Sequence, residues 1–218
     1  MRTMGVMRVM GIMSFLLALS VGMRAQQVDT LFAAYPIPDS IFSRMQGRSF
    51  PKSCTIERSE LRYLRLSYCD RKGNTRQGEM ICNKSIARDL VDIFRQLYLV
   101  RYPIERMQLI DDYDADDQRS MTANNTSCFN FRFVSGTRRI SKHGMGMAID
   151  VNPLYNPYVV NGRVEPVGGK KWAYNRERRR DIPMKIDSND LCYRLFRQHG
   201  FRWGGNWTNR KDYQHFEK

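Results

Sequence analysis

Two of the three histidines in this chain lie in segments where an acidic residue could share a metal ion with them. His143 is followed by Gly144 and Gly146, which allow a tight turn, and then by Asp150 in a strand-like run. His215 lies in a second strand-like segment. Two imidazoles and one carboxylate suit a catalytic zinc site, because three protein ligands leave a fourth position for water. The sequence therefore predicts a zinc site formed by His143, Asp150 and His215.

Hydrolysis at such a site needs two further side chains. A carboxylate must take a proton from water and pass it to the leaving amine, and the candidate is Asp212, three residues before His215. A cation must meet the negative charge that develops on the carbonyl oxygen. The candidate is Arg132, with Arg138 and Arg139 as rivals. The residues alone leave a second interpretation open, in which one histidine lies in a turn and the other in the core.

Both segments resemble signatures of a known family. The first resembles the S-x-H-x-x-G-x-A-x-D signature of VanY-like and VanX-like D-alanyl-D-alanine carboxypeptidases, and residues 212–215 resemble their second signature, [ED]-x-x-H. The aspartate in the second signature and the preceding segment 203–207 are most similar to the L-alanyl-D-glutamate endopeptidase branch of phage endolysins. The resemblance covers about residues 124–217. The residues that match the first signature are Ser141, His143, Gly146, Ala148 and Asp150.

The resemblance implies a role for each of the candidate residues. It implies one zinc ion per chain on His143, Asp150 and His215, and Asp212 as the general base where carboxypeptidase branches more often carry glutamate. It also places an arginine, in the first instance Arg132, against the substrate carbonyl.

The resemblance also bears on substrate contacts. Ser141 would support the site without attacking the substrate. Trp203 and Trp207 would line a substrate groove, although core packing explains each tryptophan equally well.

The implied substrates are peptidoglycan stem peptides or cross-links, but the bond that is cut stays open. An endopeptidase needs a groove open at both ends, whereas a carboxypeptidase needs a cationic stop for the terminal carboxylate. Arg163, Lys170, Lys171 and the run 176–180 are candidates for that stop, or a solvated face. The alternative is a non-catalytic, zinc-containing module that binds wall peptides, because hedgehog domains of the same fold group serve binding.

The elements that must hold these residues indicate an α+β fold with a small mixed, mainly antiparallel sheet flanked by helices. The pattern predicts a hairpin of residues 61–69 and 79–82, a helix from Asn83 or Ser85 to about Val100, and a second helix from Ser188 or Asn189 to His199. Residues 111–125 are expected to form a solvated loop, and 152–180 a long polar insertion. Further short strands are predicted at 107–110, 129–134, 147–151 and 213–216.

The N-terminal residues resemble a secretory signal over 1–25, with cleavage after Ala25 or, alternatively, retention as an anchor. A lead-in segment would follow at 26–55, broken by prolines, and a single peptidase domain at 56–218. We expect a monomer without a membrane span in its mature form, exported to the periplasm or cell envelope.

The net charge and the cysteine spacing bear on the binding partners and on the type of metal site. The net charge of +14 suits wall polymer, lipid head groups or nucleic acid, and the export signal argues against nucleic acid. The five cysteines contain no C-x-x-C pair, so a cysteine zinc site is not expected.

Overall fold

The structure is a computed structural model that describes residues 32–218. The predicted signal sequence, with its cleavage after Ala25, lies outside the described residues. Between residues 32 and 218, no helix is long and apolar enough to cross a bilayer.

Five α-helices and three three-stranded antiparallel sheets make up the described fold, which confirms the α+β class. The sheets have the strand orders β1-β2-β3, β4-β9-β7 and β6-β5-β8. The strands are β1 (Phe32–Tyr35), β2 (Leu61–Cys69), β3 (Thr75–Asn83), β4 (Ala148–Asp150), β5 (Tyr158–Val160), β6 (Arg163–Glu165), β7 (Arg202–Trp203), β8 (Lys211–Asp212) and β9 (His215–Glu217). The helices are α1 (Asp39–Met45), α2 (Ala87–Leu99), α3 (Asp117–Thr122), α4 (Lys170–Ala173) and α5 (Leu191–Gln198).

The first sheet contains β2 and β3, the two longest strands of the described residues. β2 and β3 pair along their whole length, from Leu61 opposite Asn83 to Cys69 opposite Thr75. Helix α2 packs on this sheet through a face that repeats at helical spacing, as the sequence predicts. The buried residues of that face are Ala87, Leu90, Ile93, Phe94 and Leu97.

The predicted lead-in takes part in the fold. Strand β1 pairs with β2, with Phe32 opposite Leu66, and α1 buries Ile41 and Met45. Pro36 and Pro38 lie between these two elements, so the prolines separate a strand from a helix and do not prevent either.

The second and third sheets position the candidate site. β9 lies between β4 and β7, and it places His215 directly opposite Asp150. The third sheet pairs β5 with β8 and places Tyr158 opposite Asp212. The predicted strand 213–216 forms only in its second half, because residues 213 and 214 lie between β8 and β9, which pair with different partners.

Two further differences from the sequence predictions concern strands that do not form. The backbone N–H of Phe129 donates to Ile81 (3.0 Å), and that of Phe131 donates to Ser49 (3.0 Å). Because these bonds reach different segments, residues 129–134 form no continuous ladder. Residues 107–110 likewise form no strand, and a 3₁₀ helix begins at Ile110. The single predicted sheet is in fact three small sheets.

The long segments expected to be irregular contain short elements. The predicted loop 111–125 contains α3, whose first turn is capped by the side chain of Asp116. The insertion 152–180 contains the β5–β6 hairpin and α4. Helix α5 is capped by Asp190, two residues after Ser188 and one after Asn189, the predicted caps, and Gly200 follows its end with a φ of +83°.

An aromatic cluster joins α2, α5 and the second sheet. Phe196 is fully buried, stacks on Phe216 at a ring distance of 4.3 Å and meets Phe94 edge-on at 6.2 Å. We expect Phe196→Ala to lower the free energy of unfolding by about 3–5 kcal/mol, because a large cavity would replace the ring. Urea denaturation measures this loss. Tyr174→Ala is the control, because Tyr174 is 74% exposed and should change stability by less than about 0.5 kcal/mol. Equal losses in both variants would contradict this description of the core.

Candidate metal centre

Three elements bring the predicted ligands together. Asp150 ends β4 and His215 begins β9, and the antiparallel register makes them direct neighbours. His143 lies in the turn that precedes β4, where its carbonyl accepts the N–H of Gly146 (2.9 Å). Gly146 has a φ of +68°, and a Cβ on it would lie 2.7 Å from the backbone nitrogen of Asn83. Glycine is therefore needed there, both for the turn and for its close contact with β3.

The donor atoms of these side chains form a nearly regular triangle. Nε2 of His143 lies 3.2 Å from Nδ1 of His215, and Oδ1 of Asp150 lies 3.3 Å from the first nitrogen and 3.1 Å from the second. Ligands 2.0–2.2 Å from a tetrahedral zinc ion lie about 3.3–3.6 Å apart. The spacing of the three atoms thus fits one face of a zinc coordination shell.

The outer hydrogen bonds of the histidines orient their free lone pairs toward this triangle. Nδ1 of His143 lies 2.7 Å from the backbone carbonyl of Cys128, which can only accept, so that nitrogen carries the proton. Nε2 of His215 lies 3.3 Å from the carboxylate of Glu217 and donates to it in the same way. The lone pairs of His143 Nε2 and His215 Nδ1 then face each other and Asp150. Such an arrangement is repulsive without a cation, so the donor set fits a zinc ion.

The charges of the site favour a cation as well. Burial by itself would raise the pKa of Asp150, but the charges and hydrogen bonds of both histidines hold that pKa far below its usual range. Burial would lower the pKa of His215, but hydrogen bonds to Asp150 and Glu217 and the charge of Asp212 raise it to about 10. The surroundings of these nitrogens therefore stabilise positive charge strongly, which benefits a bound metal ion as much as a proton.

Asp212 lies beside this centre with an unused acceptor. Its Oδ1 is shielded from solvent and has no hydrogen-bond partner. Burial and the charge of Asp150 raise the pKa of Asp212 to about 7, although the charge of His215 opposes this. A raised pKa suits a carboxyl group that must accept a proton and then release it. A Cβ on Gly204 would lie 2.7 Å from the Cβ of Asp212, so glycine is required for this close approach.

Two cavities meet at the histidines. Both have His143 and His215 in their walls, and their volumes are about 420 Å³ and about 1020 Å³. We call them the small cavity and the large cavity. Asp212 and Arg132 line the small cavity. Nε of Arg132 makes an ion pair of 3.0 Å with Asp117, which keeps a positive charge in the cavity wall.

The other predicted residues are divided between the large cavity and other parts of the fold. Arg138, Arg139, Ser141 and Trp207 line the large cavity, and the hydroxyl of Ser141 accepts the N–H of Gly144 (2.9 Å). Trp203 lines neither cavity, because β7 directs its ring into the core, where its Nε1 donates to the carbonyl of Tyr213.

Only one of the basic residues predicted as a cationic stop lines a cavity beside the candidate metal centre. Arg163 lines the small cavity and is paired with Glu165. The remaining candidates, Lys170, Lys171 and residues 176–180, line neither cavity.

Sequence reasoning missed Glu217 and the carbonyl of Cys128. Glu217 could have been found, because it lies two residues after His215 on the same strand face. The Cys128 carbonyl has no such signal, since its position depends on tertiary packing. All five cysteines are free, and Cys128 is buried.

The contact between Glu217 and His215 leads to a prediction about metal affinity. Glu217→Ala should weaken zinc binding by about 10–100-fold, because the imidazole would lose the acceptor that fixes its orientation. Competition with a chromogenic chelator measures the affinity. Glu217→Gln keeps an acceptor oxygen and should lose less zinc affinity than Glu217→Ala. Wild-type affinity in the alanine variant would show that the contact does not orient the ligand.

The comparison with known families agrees with this geometry. Residues 135–218 match the family model described as D-alanyl-D-alanine carboxypeptidase. The matched region contains all three predicted ligands and Asp212, and it confirms the resemblance seen in the sequence motifs. Arg132 lies just before it. The curated proteins and the solved structures gave no match.

Proposed function

We propose that this protein is a zinc-dependent peptidase that hydrolyses peptide bonds of peptidoglycan stem peptides or cross-links. The observation that carries the proposal is the convergence of three ligand atoms beside a carboxylate oxygen that has no hydrogen-bond partner, at a cavity of about 420 Å³. The family match over residues 135–218 supports the same reaction and the same class of substrate.

In this proposal, His143, Asp150 and His215 hold one zinc ion, whose Lewis acidity activates water and polarises the scissile carbonyl. Asp212 accepts the proton of the attacking water at its free Oδ1 and delivers it to the leaving amine. Its raised pKa supports this role, because a weakly acidic carboxyl can carry out both transfers near neutral pH.

Arg132 supplies the positive charge in this proposal. It faces the same cavity as Asp212, and its ion pair with Asp117 holds the guanidinium in the wall before the substrate arrives. A fixed charge needs little reorganisation when the carbonyl oxygen becomes negative. Ser141 supports the turn that carries His143, and Trp207, whose ring lies 5.3 Å from that of His215, contacts the substrate.

The place of action follows from the substrate. Peptidoglycan lies outside the cytoplasmic membrane, so we infer export to the periplasm or cell envelope through the signal-like residues 1–25. A monomer is sufficient for the proposed reaction, because all three ligands and Asp212 come from one chain.

Digestion of purified stem peptides, followed by mass spectrometry, tests the proposal. The zinc-loaded protein should release products that are absent when a chelator is present. Loss of one terminal D-alanine identifies a carboxypeptidase, and a cut between L-alanine and D-glutamate or at a cross-link identifies an endopeptidase. If folded, zinc-loaded protein releases no product but binds the peptides, the proposal is wrong and the protein is a binding module.

A further inference from the structure

The two cavities beside the metal centre carry opposite charges. The large cavity has a single acidic residue in its wall, Glu217, which already pairs with Arg202 (2.8 Å) and contacts His215. Its basic residues are Arg138, Arg139, Lys142, Arg202 and Arg210. One side of the centre is therefore strongly cationic.

Three of these cations are available to a ligand. In the part of the chain that the structure describes, the exposed side chains of Arg138 and Arg139 make no ion pair or hydrogen bond. Arg210 lies 4.5 Å above the ring of Trp207 and pairs with no carboxylate within residues 32–218. The other two are engaged, Lys142 by the carbonyl of Lys218 and Arg202 by Glu217.

The small cavity has the opposite balance. Its two arginines each make an ion pair with a carboxylate of the same wall, Arg132 with Asp117 and Arg163 with Glu165. The five acidic residues in its wall are Asp116, Asp117, Asp150, Asp212 and Glu165. Even with Asp150 occupied by a metal ion, this side offers no free cation among the described residues.

We propose that the large cavity binds the carboxylate-bearing part of the substrate, and that Arg138, Arg139 and Arg210 select for it, while a neutral or cationic part lies in the small cavity. This inference rests on the proposed peptidase function and specifies its substrate as a peptide with its acidic groups on one side of the scissile bond. Each exposed ion pair contributes little, but three cations facing one cavity act together. Trp207 offers an apolar surface beside Arg210, where a peptide backbone can pack.

Binding to a protein that does not turn over its ligand tests this selection. The probe is the pentapeptide L-Ala-D-Glu-L-Lys-D-Ala-D-Ala, compared with the analogue that carries D-Gln in place of D-Glu. Zinc-loaded Asp212→Asn protein should bind the acidic peptide about tenfold more tightly by calorimetry, and higher salt should reduce the difference. The variant that also carries Arg138→Glu and Arg139→Glu should lose this preference.

A matched control separates the cavity from the overall charge. Arg178 and Arg180 are exposed and line neither cavity. Their joint replacement by glutamate changes the net charge equally and should leave the preference within about twofold. The inference would be overturned if the Asp212→Asn protein bound both peptides equally. It would also be overturned if the replacement of Arg138 and Arg139 and the replacement of Arg178 and Arg180 reduced the preference for the acidic peptide equally.

The failure of this inference can be told apart from the failure of the proposed function. If the zinc-loaded wild-type protein cleaves both peptides at equal rates, the function stands and the charge selection is wrong. If it cleaves neither, although zinc is bound, the function fails whatever the peptides' affinities are.

Discussion

Replacement of Asp212 by asparagine is expected to lower the rate of stem-peptide hydrolysis by about 10²–10⁴-fold while zinc binding is retained. Asparagine has nearly the same shape but cannot accept the proton of the attacking water. Zinc should stay bound because none of the three ligand atoms belongs to Asp212. The measurement is the initial rate of product release, together with the zinc content of the purified variant.

Asp92→Asn is the control for this change. Asp92 lies on α2, pairs only weakly with Arg95 at 3.9 Å and lines neither cavity. The control should hydrolyse at the wild-type rate. If Asp212→Asn retains full activity with zinc bound, then Asp212 is not the base and another group moves the proton.

Replacement of His215 by alanine is expected to have the second large effect, the loss of both zinc and activity. The three donor atoms lie 3.1–3.3 Å apart, so removal of one leaves two ligands, fewer than catalytic zinc sites use. We expect zinc affinity to fall by more than about 100-fold, beyond the cost of removing an outer partner. Equilibrium dialysis with metal analysis measures the affinity.

The third histidine provides the matched control. His199 follows α5, and its Nδ1 lies 3.2 Å from Asp89, so it has a partner outside the centre. His199→Ala should bind zinc as the wild-type protein does. Retention of stoichiometric zinc by His215→Ala would mean that the metal, if any, binds elsewhere.

The candidate metal ligands were predictable because local motifs indicate their chemistry. Two glycines beside His143 and a strand-like run to Asp150 indicate a turn and a strand. The sequence does not contain the register of β4 and β9, which makes Asp150 and His215 neighbours. That register depends on the core beneath it, where Ile149 lies opposite Phe216.

The division of the sheets could not be predicted, because it depends on where backbone donors find acceptors. Residues 129–134 have the alternation of a strand, yet their N–H groups bond to separate segments, with acceptors at Ile81, His143, Ser49 and Arg139. The sequence predicts one strand at 213–216, but residues 211–212 pair with β5 and residues 215–217 pair with β4. This division directs Asp212 and His215 to the same centre from two different sheets.

The different surroundings of the two tryptophans could not be predicted from the sequence either. Trp203 and Trp207 flank one glycine-rich segment, and the sequence offers core packing and substrate contact equally for both. In the structure Trp203 is 6% exposed and bonded to a backbone carbonyl, whereas Trp207 lines the large cavity. Trp203 belongs to β7, where it lies opposite Phe216, and the 3₁₀ turn Gly204–Asn206 separates it from Trp207.

A zinc titration of metal-free protein during hydrolysis of a stem peptide tests the proposed catalytic zinc site most directly. Activity should be absent at the start, rise in proportion to added zinc and stop rising at one equivalent per chain. The metal-free His215→Ala variant, titrated with zinc in the same way, should show no such rise. Full activity of rigorously metal-free protein, or a rise that continues unchanged in the variant, would contradict the assignment of His143, Asp150 and His215 as the ligands of a catalytic zinc ion.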